Sequence, residues 1–398
     1  MGDVTLPDAG WRHRPGLDRL VEALDGASGT ARWVGGAVRD TLLGIDVADI
    51  DIATTLRPDE VTRRLEAAGI RAVPTGIAHG TVTAVSAGTV VEVTTLRHDV
   101  STDGRHAVVA FTDQWREDAA RRDFTMNALY ADPVSGAVFD WFGGLDDLAA
   151  RRVRFIGDPY QRIAEDHLRI LRFFRFHARF GDAVDTDGLD ACTARANDLM
   201  ALSRERIAAE LLKLLVARDA VAVVALMHDR GIFRPVLPEV GDAGVGRLAR
   251  LAEAEAEAGV TPAAIRRLAA LIAPGEAEAV GARLKLSKAD RRRLALAGTG
   301  AGDEGVLALG YRAGAESAID RLLLAGADPR PLLDWTRPTL PIGGGALVGR
   351  GLAKGPEVAI ALRRVEDRWI AEDFPPVARV DAIADEEVDQ LLRSPRKA

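Results

Sequence analysis

The 398 residues predict an α+β protein: a head of small mixed sheet and helices over 1–150, followed by an all-helical remainder. Two observations lead there. Short β-branched runs at 31–34, 47–53, 81–86 and 89–95 are bounded by glycine or proline. From about residue 159, apolar residues recur at helical spacing, aromatics thin out, and Ala, Leu and Arg dominate.

In the head, residues 16–25 read as a short amphipathic helix, and 57–68 as a second one with Pro58 in its first turn. The remainder predicts helices over 159–180, 204–217, 218–230, 245–258, 261–273, 276–284, 288–296, 317–325 and 355–372. It divides into a neck (151–217), a body (218–330) and a tail (331–398), with a frayed polar end from Arg393.

Apolar residues make up 47% and charged residues 28%, as in a globular chain rather than a disordered one. With 52 basic and 59 acidic residues the net charge is -7, which argues against a general nucleic-acid coat protein. A local site remains open. Residues 151–179 hold eight arginines against three acids. That stretch is compatible with phosphate contacts confined to one face, and such binding should weaken steeply with salt. A single cysteine, Cys192, excludes a disulfide framework and a cysteine zinc cluster, and suits a reducing cytosol. The first residues show no secretory signal, and no apolar run approaches the ~18 residues of a membrane span. The expectation is a cytoplasmic protein without membrane contact.

The chemistry begins at Gly35-Gly36-Ala37-Val38-Arg39-Asp40, after a strand and at the start of a helix. The glycines let backbone approach a polyphosphate, the helix start favours anions, and Arg39 adds a charge for a phosphate. Asp49-Ile50-Asp51-Ile52 then reads as a strand. Residues i and i+2 share a face, so Asp49 and Asp51 project together while Ile50 and Ile52 enter the core. Paired carboxylates repel unless a cation lies between them, and Mg²⁺ is the usual hard cation. The bland reading is a surface pair on an edge strand. A third carboxylate, Glu92, on a later strand favours a metal site able to serve in-line phosphoryl transfer.

This arrangement resembles the nucleotidyltransferase superfamily to which DNA polymerase beta belongs. The resemblance implies a polymerase-beta-like head and nucleotidyl transfer from an NTP to a hydroxyl. Arg121-Arg122-Asp123-Phe124-Thr125-Met126-Asn127-Ala128 narrows it. That segment is similar to a signature of class II tRNA nucleotidyltransferases and bacterial poly(A) polymerases, where it supports sugar and phosphate recognition. The plain alternative is a charged helix start with a capping Asp.

Glu165-Asp166-His167-Leu168-Arg169 continues through Arg172 and Arg175. On one helix, three-residue steps lag a full turn by about 60°, so Asp166 and Arg169 are neighbours and Arg175 drifts away. A small ligand would meet Asp166, Arg169 and Arg172, while Arg175 reaches phosphate or an adjoining helix. The bland alternative is an ion pair on a solvated face. Cytosine and adenine both set an exocyclic amine beside an unprotonated ring nitrogen. A carboxylate accepts from the first and a guanidinium donates to the second. Uracil and guanine reverse the pattern and leave both groups unpaired. The resemblance implies the same, since Glu-Asp-x-x-Arg serves class II enzymes as a protein template for the base. Glu165 then positions arginines rather than touching the base.

Further segments resemble the family. They are Gly76-x-x-x-Gly80-Thr81, the Asp103–His106 loop, Arg204-Glu205-Arg206-Ile207 with Glu210, Leu340–Gly344 and Lys354–Val358. The resemblance is dense over 33–215 and weak over 230–330. It implies addition of C, C and A to the tRNA 3′ end from CTP and ATP, with poly(A) synthesis or partial addition as alternatives. A catalytically silent RNA-binding relative is disfavoured by Asp49 and Asp51. His228-Asp229 lacks the partners an HD phosphohydrolase needs. The implied roles follow. Asp49 and Asp51 hold two Mg²⁺, and Glu92 completes the metal shell or acts as base. Gly36, Arg39 and Arg121 or Arg122 hold triphosphate and sugar, and Asp166 with Arg169 reads the base. Movement of the 97–115 loop is expected to switch C to A.

Overall fold

The computed structural model describes residues 4–103 and 106–393. The chain forms two compact units, divided between Pro238 and Glu239. Residues 394–398, most of the expected frayed end, and the Gly104-Arg105 tip of the expected loop lie outside the described residues.

In the first unit α1 (Leu17–Ala23) precedes β1 (Ala31–Val34), α2 (Gly36–Leu42), β2 (Ile50–Thr54) and α3 (Pro58–Ala67). Then come β3 (Arg71–Gly76), β4 (Thr81–Ser86), β5 (Thr89–Thr95), β6 (Arg97–Asp103) and β7 (His106–Phe111). The head closes with α4 (Trp115–Ala120), β8 (Tyr130–Ala131), β9 (Val138–Phe139) and α5 (Gly144–Ala149). The seven-stranded sheet runs β3-β4-β5-β2-β1-β8-β9, and β6 and β7 form a separate two-stranded ribbon. Only β2 and β5 pair in parallel, placing Asp51 beside Glu92 and Ile52 beside Val93. The other pairings are antiparallel, so the sheet is mixed as predicted.

The strand expected over 47–53 starts later, at Ile50, which leaves Asp49 on the bend that leads in. The segment expected to be a loop after Glu92 is instead the β6–β7 ribbon, which joins α4. β3 carried no clear signal: its burial does not alternate, and it joins the sheet at an edge.

The helix expected over 159–180 is two helices, α6 (Pro159–Glu165) and α7 (Arg169–Phe180). Asp158 caps α6 by accepting from the Tyr160 amide, and Pro159 sits in its first turn. The break comes at Asp166, whose φ of -149° and ψ of 105° are extended. Periodicity missed it because the apolar stripe resumes in phase. Ile163, Leu171, Phe174 and Ala178 are all buried. α7 seats its phenylalanines against the head. The Phe124 ring lies 5.0 Å from Phe155 and 5.1 Å from Phe176, and Phe155 stacks on Phe173 at 5.6 Å. Such pairs add to the burial of large apolar surfaces. α8 (Thr186–Ala194), α9 (Arg204–Leu215) and α10 (Ala220–Asp229) complete this unit.

The second unit is helical. It holds α11 (Asp242–Ala258), α12 (Ala264–Leu271), α13 (Ala277–Arg283), α14 (Lys288–Ala297), α15 (Val306–Ala313) and α16 (Ala315–Leu324). α17 (Gly344–Gly349), α18 (Pro356–Ala371) and α19 (Val377–Arg393) follow. α15 and α19 were not expected from the sequence. Tyr311, Trp369 and Phe374 form an aromatic knot among them. A buried ion network ties α11, α12, α14 and α16. Glu255 accepts from Arg266 at 2.7 Å and Arg267 at 2.8 Å, and Asp320 accepts from Arg266 at 3.0 Å and Arg293 at 2.6 Å.

Candidate active site

Asp49, Asp51 and Glu92 line one open cleft of about 840 Å³ on the head, together with Arg14 and Thr89. Asp51 points from β2 and is half-buried, while Asp49 and Glu92 are exposed. Burial pushes the Asp51 carboxyl up to about 6; Glu92 adds repulsion, Arg122 opposes it, and Asp49 adds more. A carboxylate in that condition is stabilised by a cation placed among its neighbours. Among the described residues, no three acidic or imidazole side chains are gathered into a ready-made cage. The donor set is nonetheless all oxygen and open to solvent, which fits a hard divalent ion held partly by water and phosphate.

Gly35 turns the chain from β1 into α2 with φ of +66°, and a Cβ there would lie 3.3 Å from an Arg122 nitrogen. Both facts demand glycine. Gly36, the first residue of α2, lies beside this turn.

Arg39 departs from its expected role. It is 6% exposed, it donates to Asp40 at 2.7 Å and Asn127 at 2.5 Å, and its guanidinium lies over the Phe180 ring at 4.3 Å. Helical direction turns it into the wall behind the glycine turn, where it ties α2 to the Asn127 segment and α7.

Arg121 and Arg122 share one anchor. Asp118 on α4 accepts from Arg121 at 2.8 Å, from Arg122 at 3.2 Å and from the Arg97 amide at 3.2 Å. Asp118 is 1% exposed. Burial would raise its carboxyl, but Arg122, Arg121 and the Tyr130 hydroxyl outweigh that and hold it at about 2. This anchor was missed in the sequence. The spacing of Asp118 from Arg121 and Arg122, three and four residues, is the helical ion-pair spacing and was the available signal. Nothing local marked Tyr130. Asp123, the last residue of Arg-Arg-Asp, accepts from Phe124 and Asn127 at 2.8 and 2.9 Å and from Arg172 at 2.8 and 2.5 Å.

Asp166 and Arg169 are adjoining, but not as an ion pair on one continuous helix. The Arg169 amide donates to the Asp166 carbonyl at 3.0 Å across the break. The Arg169 guanidinium is held by Glu165 at 2.6 Å and by the carbonyls of Arg162 and Arg121 at 2.9 and 3.1 Å. Glu165 also accepts from Arg162, the expected positioning role. Asp166 pairs instead with Arg206 of α9. Arg172 is held by Asp123, and Arg175 reaches the adjoining helix, where Glu210 accepts from it at 2.5 Å.

These pairings also revise the cationic stretch. Arg152 and Arg154 bind Asp147, Arg162 and Arg169 bind Glu165, and Arg172, Arg175 and Arg179 bind Asp123, Glu210 and Asp40. Carboxylates from outside 151–179 neutralise most of what looked like a free basic face. Among the described residues, no helix is long and apolar enough to cross a membrane.

Two family descriptions match the chain: a poly(A) polymerase head domain over 31–154, and a probable RNA- and SrmB-binding site of polymerase A over 183–243. Human mitochondrial CCA tRNA nucleotidyltransferase 1 is 33% identical over 377 residues, covering 89% of this chain and 86% of that protein. The CCA-adding enzyme of Levilactobacillus brevis is 42% identical over 201 residues, covering 50% of this chain and 49% of that one. The crystal structure of the Bacillus stearothermophilus CCA-adding enzyme in complex with CTP matches with a TM-score of 0.74 at 26% identity, covering 96% of this chain and 100% of that one. A head with carboxylates on neighbouring strands, the Glu-Asp-x-x-Arg segment at a helix break, and identity sustained along nearly the whole chain agree: the protein belongs to the class II family of CCA-adding tRNA nucleotidyltransferases and poly(A) polymerases.

Proposed function

We propose that this protein adds C, C and A to the 3′ end of tRNA, using CTP and ATP and releasing pyrophosphate. One observation carries the reading: the head's carboxylate cleft and the Asp166–Arg169 template belong to one compact unit. The whole-length kinship to CCA-adding enzymes supports it.

Asp49 and Asp51 would hold Mg²⁺, with Glu92 either completing its shell or acting as base. When bound, Mg²⁺ supplies charge neutralisation for the attacking 3′-hydroxyl and for the departing pyrophosphate. The glycine turn at Gly35-Gly36 receives the triphosphate with its backbone. Arg121 or Arg122, oriented by Asp118, meets phosphate and sugar, and Arg39 stiffens the turn from behind. Arg169, fixed by Glu165, donates to the base's ring nitrogen, and Asp166 accepts from its amine. Arg172 and Arg175 brace the template through Asp123 and Glu210. The labour divides into head (1–150), neck (151–217), body (218–330) and tail (331–398), with tRNA held by the helical parts. The lone buried Cys192 agrees with a cytoplasmic location.

Incubation with tRNA lacking its 3′ end and each labelled NTP tests this. Three residues added in the order C, C, A support it, and no addition overturns it. A long A tail would mark a poly(A) polymerase, and a single A or two C residues a partial enzyme.

A further inference from the structure

Arg206 approaches Asp166 from α9, forty residues away in the chain. One guanidinium nitrogen donates to both carboxylate oxygens, at 3.0 Å to Oδ1 and 2.8 Å to Oδ2. The Leu168 amide donates to Oδ1 at 3.1 Å. A carboxylate offers about four lone-pair sites. Three are thereby filled, and one on Oδ2 remains. Arg169 is fixed by different groups, Glu165 and two backbone carbonyls, so each half of the template has its own holder.

We infer that Arg206 is a positioning residue for base choice: it holds the Asp166 carboxylate as a one-site acceptor aimed at the exocyclic amine of C or A. The inference rests on the function proposed above and deepens it. Rejection of U and G needs a carboxylate that cannot turn away from an incoming carbonyl. Specificity of that kind requires the repulsive element to be held as firmly as the attractive one. A free Asp166 would swing about its χ2 bond and tolerate either face. The pair's modest burial argues against a purely structural purpose. Side-chain exposures of 34% for Arg206 and 30% for Asp166 leave it water-screened, where ion pairs contribute little to stability.

The test measures single additions of CTP and UTP by the full chain to tRNA lacking its 3′ end, for wild type, Arg206→Gln and Arg206→Lys. In Arg206→Gln, kcat/KM for CTP should fall about tenfold or more through KM, and the CTP-over-UTP preference should shrink by a similar factor. Arg206→Lys, which keeps a charge and a single donor nitrogen, should lose less preference. A Gln variant whose CTP and UTP rates fall by one common factor overturns the inference, since a structural role moves both alike. Should the Gln variant not fold, wild-type preference in an Arg206→Met variant overturns it instead. Wild-type protein that adds no C overturns the proposed function, and the inference with it. Wild-type C addition with undiminished preference in the variants overturns the inference alone.

Discussion

Tyr130 donates its hydroxyl proton to Asp118 across 2.5 Å. The same carboxylate holds Arg121, Arg122 and the first amide of the β6–β7 ribbon. One buried anion therefore organises two cations, proposed above to meet phosphate and sugar, and the base of a ribbon. Asp118→Asn removes half of a buried ion cluster and should cost about 3–5 kcal/mol of stability. Tyr130→Phe deletes one hydrogen bond and should cost about 1–2 kcal/mol. Denaturant unfolding checks both. At temperatures where Tyr130→Phe remains folded, its KM for CTP should rise more than its KM for tRNA.

Asp51 sets a pH response of the metal-free protein. Its carboxyl lies at about 6 when folded, against the ordinary aspartate value of 3.8. The folded state therefore binds the proton more tightly, and stability falls as pH rises from about 4 to about 6. The loss is at most about 3 kcal/mol for a shift of this size. Asp51→Asn should flatten that fall and abolish nucleotide transfer while leaving tRNA binding. Thermal unfolding across pH in a chelator, with and without the substitution, checks the first; an identical slope in both proteins refutes it.

The β6–β7 ribbon, anchored through Asp118, is the moving part expected in the change from C to A. Replacing residues 98–110 by a short flexible linker should spare C addition and impair A addition at least about tenfold. Gel-resolved addition to tRNA ending in one C, or in both, distinguishes the steps. Equal survival of both activities removes the ribbon from the switch.

Glu255, 1% exposed, answers both Arg266 and Arg267 in the second unit. Glu255→Gln takes the carboxylate from Arg267, leaves Arg266 to Asp320, and should cost about 3–5 kcal/mol. Calorimetry should show the loss in the melting of residues 239–398. Replacement of an exposed counterpart, Asp367→Asn beside Arg312, should change stability by less than about 1 kcal/mol.

Much of the architecture was legible because it rests on periodicity. Strands at 31–34, 81–86 and 89–95 and most of the helices stand where their apolar spacing placed them. α19 escaped notice although it buries Val380, Ile383, Ala384 and Val388, because acidic residues fill the intervening turns. The break at Asp166 escaped for the opposite reason: the apolar stripe runs through it unbroken, and only the backbone angles record it.

What the sequence by itself determined is the inventory and its local order: carboxylates two residues apart at the entry to a strand, a glycine turn, the Arg-Arg-Asp and Glu-Asp-x-x-Arg strings, and the family they resemble. The tertiary structure alone decided who pairs with whom. It buried Arg39 against Asn127, gave Arg172 to Asp123 and Arg175 to Glu210, and set Arg206 on Asp166. Spacing along a chain specifies which face a side chain shares with its near neighbours. A charge's partner is fixed by which distant element packs within about 3 Å of it and excludes water there, and no local period encodes that.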